Sequence, residues 1–547
     1  MFIIDIVSYT VSSVATKINI AVNFYNGFFS GRMNDIVNCA AIAGGCRVID
    51  KISSTAFCKN NFRTIVIVIN GLLVAMIANI FVMSGCNLLP GNNKNNGEEE
   101  GKINIHFYHT MGANLRAVLD KYIEKFEALH PDINVIHEQV GGYDDVRDKV
   151  SNQLLVGEQP NITYCYPDHV ARYNVAKGVL TLDSFINSTE EITLANGTKE
   201  IVGLTQAQKD DFIPGYYEEG KQFGDGLMYT LPLSKSTEVL YYNKTFFDEN
   251  NLNVPTTWDE MEEVCATILE LNKEYNAAHP EDQQTWVPLG YDSEANWFIT
   301  MCEQLDLDYT SATGKHYLFD TADHHAFVSE FRDWYTKGYL TTQEIYGAYT
   351  SGLFVSTTSE RSFMSIGSSA GATHQRPTKV DGEYPFEVGI APIPQVDGEN
   401  NGKAISQGPS LCILKSGNDE EDMASWLFIK YLTTNTSFQA DFSIASGYVP
   451  VIKSVENDEV YADHLASADG GDYIAALSSK VCLEMADWYF TSPAFNGSST
   501  ARDEVGALLK DCLKIDKTYS ADKVKTEMEK LFDEAINECE YWAKSEE

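Results

Sequence analysis

A chain of 547 residues is too long for one ordinary hydrophobic core and predicts two or three folded units. Its 78 acidic and 40 basic residues leave a net charge of −38, and a surface that acidic repels phosphate backbones, which argues against a nucleic-acid partner. Apolar residues make up 44%, as in soluble globular proteins, and the 12% of aromatic residues supplies core material as well as flat faces on which sugar rings stack.

Residues 1–58 carry acidic positions and no sustained helical or strand period, and a misplaced start codon is one explanation for them. Lys59 and Arg63 then precede an apolar run from Ile65 to Met83, the order of an export signal. A membrane span is the alternative reading of a run this long. Met83-Ser84-Gly85-Cys86 resembles the lipobox of bacterial lipoproteins, in which small residues admit the peptidase and the cysteine thiol carries the lipid. Residues 1–85 are therefore expected to be an export signal with an extension, and Cys86 the lipidation site, anchoring the chain on the extracytoplasmic face of the cell membrane. Residues 86–101, polar and rich in Asn and Gly, read as a flexible tether spanning on the order of 20 Å. The other ten of the 11 cysteines show no C-x-x-C pair and no metal-like spacing, and read as mostly buried small hydrophobes.

The body alternates strands and amphipathic helices. Ile103–Tyr108 predicts a strand, Asn114–Leu129 a helix stopped by Pro131, and Ile133–His137 a second strand. Asp144–Val156 and Asn161–Cys165 repeat the pattern. The polar segment 187–210 reads as a surface excursion. Val239–Tyr242 is a strand, and Thr257 with Glu260 forms a capping box at a helix start. Residues 270–290 read as an insertion that hints at an oligosaccharide ligand. Phe386–Ile390 and Leu411–Leu414 predict strands, and Asp422–Leu432 and Ala521–Trp542 helices. This alternation predicts an α/β protein.

Four segments carry a family resemblance across nearly all of residues 102–547. They are Leu231 to Lys244 with the following Pro255-Thr256-Thr257-Trp258-Asp259-Glu260, Phe363 to Gly371, Val388 to Pro394, and Gly447-Tyr448-Val449-Pro450-Val451. In this order they resemble the extracellular sugar-binding proteins of ABC importers, in their maltose-binding and glycerol-3-phosphate-binding branches. The resemblance implies a type II, two-lobed α/β fold with the ligand cleft between lobes. Lobe 1 would hold 102–235 and 392–452, and lobe 2 would hold 236–391 and 453–547. It also implies capture of a carbohydrate, a sugar, oligosaccharide or glycerol-phosphate-like solute, by hinge closure, by a monomer that delivers it to permease subunits.

The resemblance implies ligand contacts at Ser236, Trp297, Ser369, Gly408, Tyr448 and Arg502, the last suited to an anionic group. Gly408 precedes Pro409 where the family more often has a second glycine. The strand-to-helix turn Gly141-Gly142-Tyr143 adds Tyr143, and Asp168 just past a strand end adds a carboxylate that accepts pairs of sugar hydroxyls.

A competing reading is a secreted serine hydrolase. Gly367-Ser368-Ser369-Ala370-Gly371 fits G-x-S-x-G with Ser369 as nucleophile. His374 is too near for the triad order, His464 is the other choice, and no His-Gly-Gly run supplies an oxyanion hole. His324-His325 beside Asp320 and Asp323 match no standard metal spacing and read as a solvated helix start. No Walker loop or dinucleotide fingerprint occurs, so neither metal nor cofactor is expected and the ATPase would be a separate chain.

Overall fold

The computed structural model describes residues 97–397, 402–467 and 473–545. The expected export signal, Cys86 and most of the tether lie outside these residues. Residues 97–101, expected as the tether's end, instead form a turn docked on the first strands, where the Gly97 carbonyl accepts from Asn134 Nδ2 at 2.8 Å.

The fold begins with β1 (Ile103–His109), whose alternate residues Ile105 and Phe107 are fully buried. In α1 (Ala113–Leu129) the buried Leu119, Tyr122, Ile123 and Phe126 make one stripe, and Pro131 ends the run. β2 (Ile133–Gln139), α2 (Tyr143–Leu154), β3 (Ile162–Cys165) and α3 (Pro167–Val175) follow, the last with proline in its first turn. β1 lies between β2 and β3, parallel to both. β4 (Leu231–Pro232) ends this half.

Past residues 233–237 the chain enters a second sheet through β5 (Glu238–Asn243). α4 (Trp258–Ala278) opens as the capping box predicts: the Glu260 amide donates to Thr257 Oγ1 at 3.2 Å. β6 (Thr285–Tyr291), α5 (Glu294–Gln304), α6 (Ala322–Lys337), β7 (Leu340–Thr342), β8 (Glu360–Ser368) and β9 (Val388–Pro392) complete it, in the order β9-β5-β8-β6-β7. Residues 270–290 form the second half of α4, a connecting loop over 279–284 and most of β6.

β10 (Ala404–Ile405) leads back to β11 (Ser410–Ile413), which slots antiparallel between β3 and β4 and closes the first sheet as β2-β1-β3-β11-β4. α7 (Asp419–Thr434) and α8 (Thr436–Ser446) pack on that side, against β1 and α1. The chain then crosses again. α9 (Tyr473–Glu484) packs on β9, β12 (Tyr489–Phe490) pairs with β10, and α10 (Ser498–Leu513) packs on α5 and α6 beneath α11 (Ala521–Ser545). The excursion after residue 187 is a two-stranded hairpin, Glu191–Thr193 with Lys199–Ile201, followed by a short helix.

All seven described cysteines are buried and free. The helix start at Asp320–His325 is only half solvated: His325 pairs with Asp320 at 2.8 Å, but His324 is buried and its ring meets Phe298.

Candidate ligand cleft

Where the connecting segments pass between the two halves, they lie against one another. Lys235 pairs its backbone with Val449, and Ser236 with Gln407. Gly408 sits at φ +96°, and a Cβ there would lie 2.7 Å from the Ser234 carbonyl and 3.0 Å from Lys235 Cα, so only glycine fits the junction. Beneath it Lys235 Nζ donates to both Glu219 oxygens at 2.7 and 2.8 Å, to the Gly408 carbonyl at 3.1 Å and to Ser410 Oγ at 3.0 Å. Every polar proton of the ammonium is thereby satisfied without water.

Above this junction lies a cavity of about 220 Å³. The start of α3 supplies Tyr166 and Asp168, the connecting segment Gln407 and Gly408, and α10 Arg502; Glu219 and Tyr309 add a carboxylate and a ring. A second cavity of about 690 Å³ shares Gln407 and is bounded by Glu238, Asp292, Asn296, Tyr349 and His374.

Arg502 donates to the Asn296 side-chain oxygen. It makes no ion pair with a carboxylate among the described residues, so its charge stays available to a ligand. The Asn296 amide nitrogen donates in turn to Glu238 Oε1 at 2.9 Å, and the Tyr291 hydroxyl donates to Glu238 Oε2 at 2.7 Å. Burial pushes the Glu238 carboxyl up to about 7 against the pull of those two bonds. Asp292, which accepts from the Thr350 amide and hydroxyl at 2.6 and 2.7 Å, is also raised by burial.

Six of the eight expected contacts fall into three groups. Asp168, Gly408 and Arg502 line the first cavity. Tyr143 and Tyr448 stand just behind its wall: the Tyr143 ring stacks on Tyr166 at 4.5 Å, Tyr448 abuts Gly408, and burial raises both phenols. Ser236 is buried in the crossing segment.

Two expectations need correction. Trp297 has no exposed surface; it stacks on Tyr291 at 4.7 Å and meets Phe331 at 4.1 Å, because α5 is buried on nearly all its faces. Ser369 is also fully buried. Its Oγ accepts from the Thr237 amide at 3.1 Å and its own amide donates to the Thr237 carbonyl at 2.8 Å, so it fastens the crossing segment and reaches neither a ligand nor an ester. The glycines before Tyr143 likewise serve the turn: Gly141 adopts φ +37° and the Gly142 amide donates to Asp145 at 2.7 Å. Sequence reasoning missed Tyr166, Tyr309, Gln407 and the Glu219–Lys235 pair. Tyr166, two residues before Asp168 at the same strand end, was the one with a local signal.

Two α/β halves joined by several chain crossings, with the cavity at the junction, define a type II two-lobed binding-protein fold. The same fold is found in the cyclic alpha-maltosyl-1,6-maltose binding protein from Arthrobacter globiformis, with TM-score 0.59 and 17% identity over 80% of this chain and 99% of that one. UgpB from Mycobacterium tuberculosis, solved with glycerophosphocholine, matches with TM-score 0.58 and 18% identity over 80% and 99%. The chain belongs to the bacterial extracellular solute-binding protein family, whose profile matches residues 121–468. Among curated relatives, the maltotriose-binding protein of Pyrococcus abyssi is 23% identical over 66% of this chain and 69% of its own. The sn-glycerol-3-phosphate-binding periplasmic protein UgpB of Escherichia coli is 21% identical over 65% and 76%.

Proposed function

We propose that the chain is the substrate-binding lipoprotein of an ABC importer, anchored through Cys86, acting as a monomer without chemistry of its own. Lobe 1 comprises 102–235 and 392–452, lobe 2 comprises 236–391 and 453–547, and they close over a small polyhydroxylated solute. The curated relatives that bind maltotriose and sn-glycerol 3-phosphate support a carbohydrate or glycerol-phosphate-like ligand. The observation that carries the choice between them is Arg502, held by an amide rather than a carboxylate and facing a cavity of about 220 Å³. That arrangement favours a solute bearing one anionic group, and the volume, below the ~300–1,000 Å³ of typical drug-sized sites, suits a glycerol- or single-ring-sized moiety there. Ligand contacts to both lobes favour the closed form, because only contacts that differ between open and closed states shift that balance.

The test is thermal unfolding of residues 97–547 against mono- and oligosaccharides, polyols and glycerol phosphates. A ligand at 100 times its dissociation constant adds about 2.7 kcal/mol of stability. A shift with glycerol phosphates, the ligand recovered unchanged, supports the reading. A shift with neutral oligosaccharides alone overturns the anionic assignment, and no shift across the panel overturns solute capture of this class.

A further inference from the structure

Glu238 is the first residue of β5, immediately after the crossing segment, and is 2% exposed. Its two carboxylate oxygens accept from Tyr291 and Asn296, and it borders the second cavity. The Asn296 amide is fixed at both ends: its nitrogen faces the Glu238 carboxyl and its oxygen faces Arg502. A flip of this amide would set donor against donor at Arg502 and acceptor against acceptor at an ionised Glu238. The carboxyl therefore dictates how the amide points, and the amide dictates where the guanidinium lies.

We infer that Glu238 is a positioning residue which, through Asn296, orients Arg502 and couples the binding of an anion there to the uptake of a proton from solvent by the Glu238 carboxylate. The inference rests on the anionic reading of the cavity. The groups facing Glu238 are few. Tyr291 and Asp292 come from β6 and the turn after it, Arg502 from α10, and Tyr349 and His374 line the second cavity with it. β8 presents Ser368 opposite Glu238, and β9 ends with Pro392 opposite Val239, the next residue; neither titrates. Burial already holds the carboxyl near neutrality; Arg502 favours its ionised form and Asp292 opposes it. An anion seated on Arg502 offsets the guanidinium charge, so the carboxyl holds its proton to higher pH.

The probe is glycerophosphocholine, a diester whose phosphate charge does not change between pH 5 and 9. Calorimetry in two buffers of different ionisation enthalpy should register uptake of a fraction of a proton per ligand at pH 7.5 and none at pH 5. Affinity should fall roughly tenfold from pH 5.5 to 8.5, the scale of one unit charge acting across a partly solvated cavity. Glu238→Gln, whose amide oxygen still accepts from Asn296 while its NH2 donates to a turned Tyr291 hydroxyl, removes the charge and should bind with a flat pH profile, near the acid value of the unmodified protein. His374→Gln should keep both the uptake and the slope. If Glu238→Gln does not fold, the uptake measured on Asp292→Asn and His374→Gln proteins decides, because Asp292 and His374 are the other acid and base bordering that cavity and the uptake should survive both substitutions. Binding with no proton uptake, or uptake lost in Asp292→Asn or His374→Gln, overturns the inference and leaves the anionic reading intact. No binding of this diester or of glycerol 3-phosphate overturns both.

Discussion

Lys235 Nζ lies 2.7 Å from Glu219 Oε1, with the two side chains 0% and 2% exposed. The pair joins the first crossing segment to the short helical turn below the cavity, and Ser410 and the Gly408 carbonyl complete its shell. Removing one partner strands the other charge away from water. Lys235→Met is expected to destabilise the fold by about 3–5 kcal/mol, read by urea unfolding, whereas Lys235→Met with Glu219→Leu should recover most of that loss. A double variant no more stable than the single one would show that the carboxylate is not the source of the cost.

Arg502→Ala is expected to weaken glycerol 3-phosphate by about 2 kcal/mol, roughly thirtyfold in Kd, measured by calorimetry at low salt. Arg502→Lys should restore little, because a compact ammonium cannot both reach Asn296 and present a fork to a phosphate. Equal losses for a neutral sugar would contradict the role.

Stability should depend on pH through Glu238. Its ordinary value is 4.5 and its folded value about 7, so the folded state holds a proton that the unfolded chain has already released between those two values. The stabilisation is complete below about 4.5 and is lost as pH rises through about 7, a change of about 3 kcal/mol. Glu238→Gln should therefore gain on the unmodified protein between pH 5 and pH 8 in parallel urea titrations. A constant gap would remove Glu238 as the titrating group.

Trp297 and Tyr166 should separate core from cleft. Trp297→Ala is expected to cost about 3–5 kcal/mol of stability, because its neighbours cannot close on the vacated volume. Tyr166→Ala should cost less stability than Trp297→Ala, through its lost stack on Tyr143, and should weaken the ligand, since that ring borders the cavity. Swapped outcomes in unfolding and calorimetry would reverse the assignment.

Ser369→Ala removes the acceptor of the Thr237 amide and should cost about 1–3 kcal/mol, the penalty of an orphaned buried donor. Ester hydrolysis, assayed with a chromogenic short-chain ester, should be the same with and without the substitution.

Much of the fold was legible because period and punctuation are local. The Thr257 cap, the stop at Pro131 and the alternating isoleucines and aromatic residues of β1 all lie within a few residues of what they specify. The site was legible only in part, because its connections are distant. Arg502 meets Asn296 206 positions away, and Lys235 meets Ser410 175 positions away. Trp297 misled for a related reason. A tryptophan on a helix looks the same in sequence whether the helix borders a cleft or is wrapped by the core, and α5 is wrapped. The G-x-S-x-G pattern at Ser369 misled because a strand leading into a tight turn gives the same spelling whether the serine points outward or in.

The seven buried thiols among the described residues give the folded body a built-in clock. A sulfhydryl at this depth reacts with an alkylating reagent only when its surroundings open, and burial raises Cys165, Cys265, Cys302, Cys482, Cys512 and Cys539 further from the reactive thiolate. They are spread over both halves, Cys165 and Cys412 on one sheet and Cys265, Cys302 and Cys512 on the other side of the junction. The order in which they are labelled over hours would therefore time the opening of each half separately, with no engineered probe.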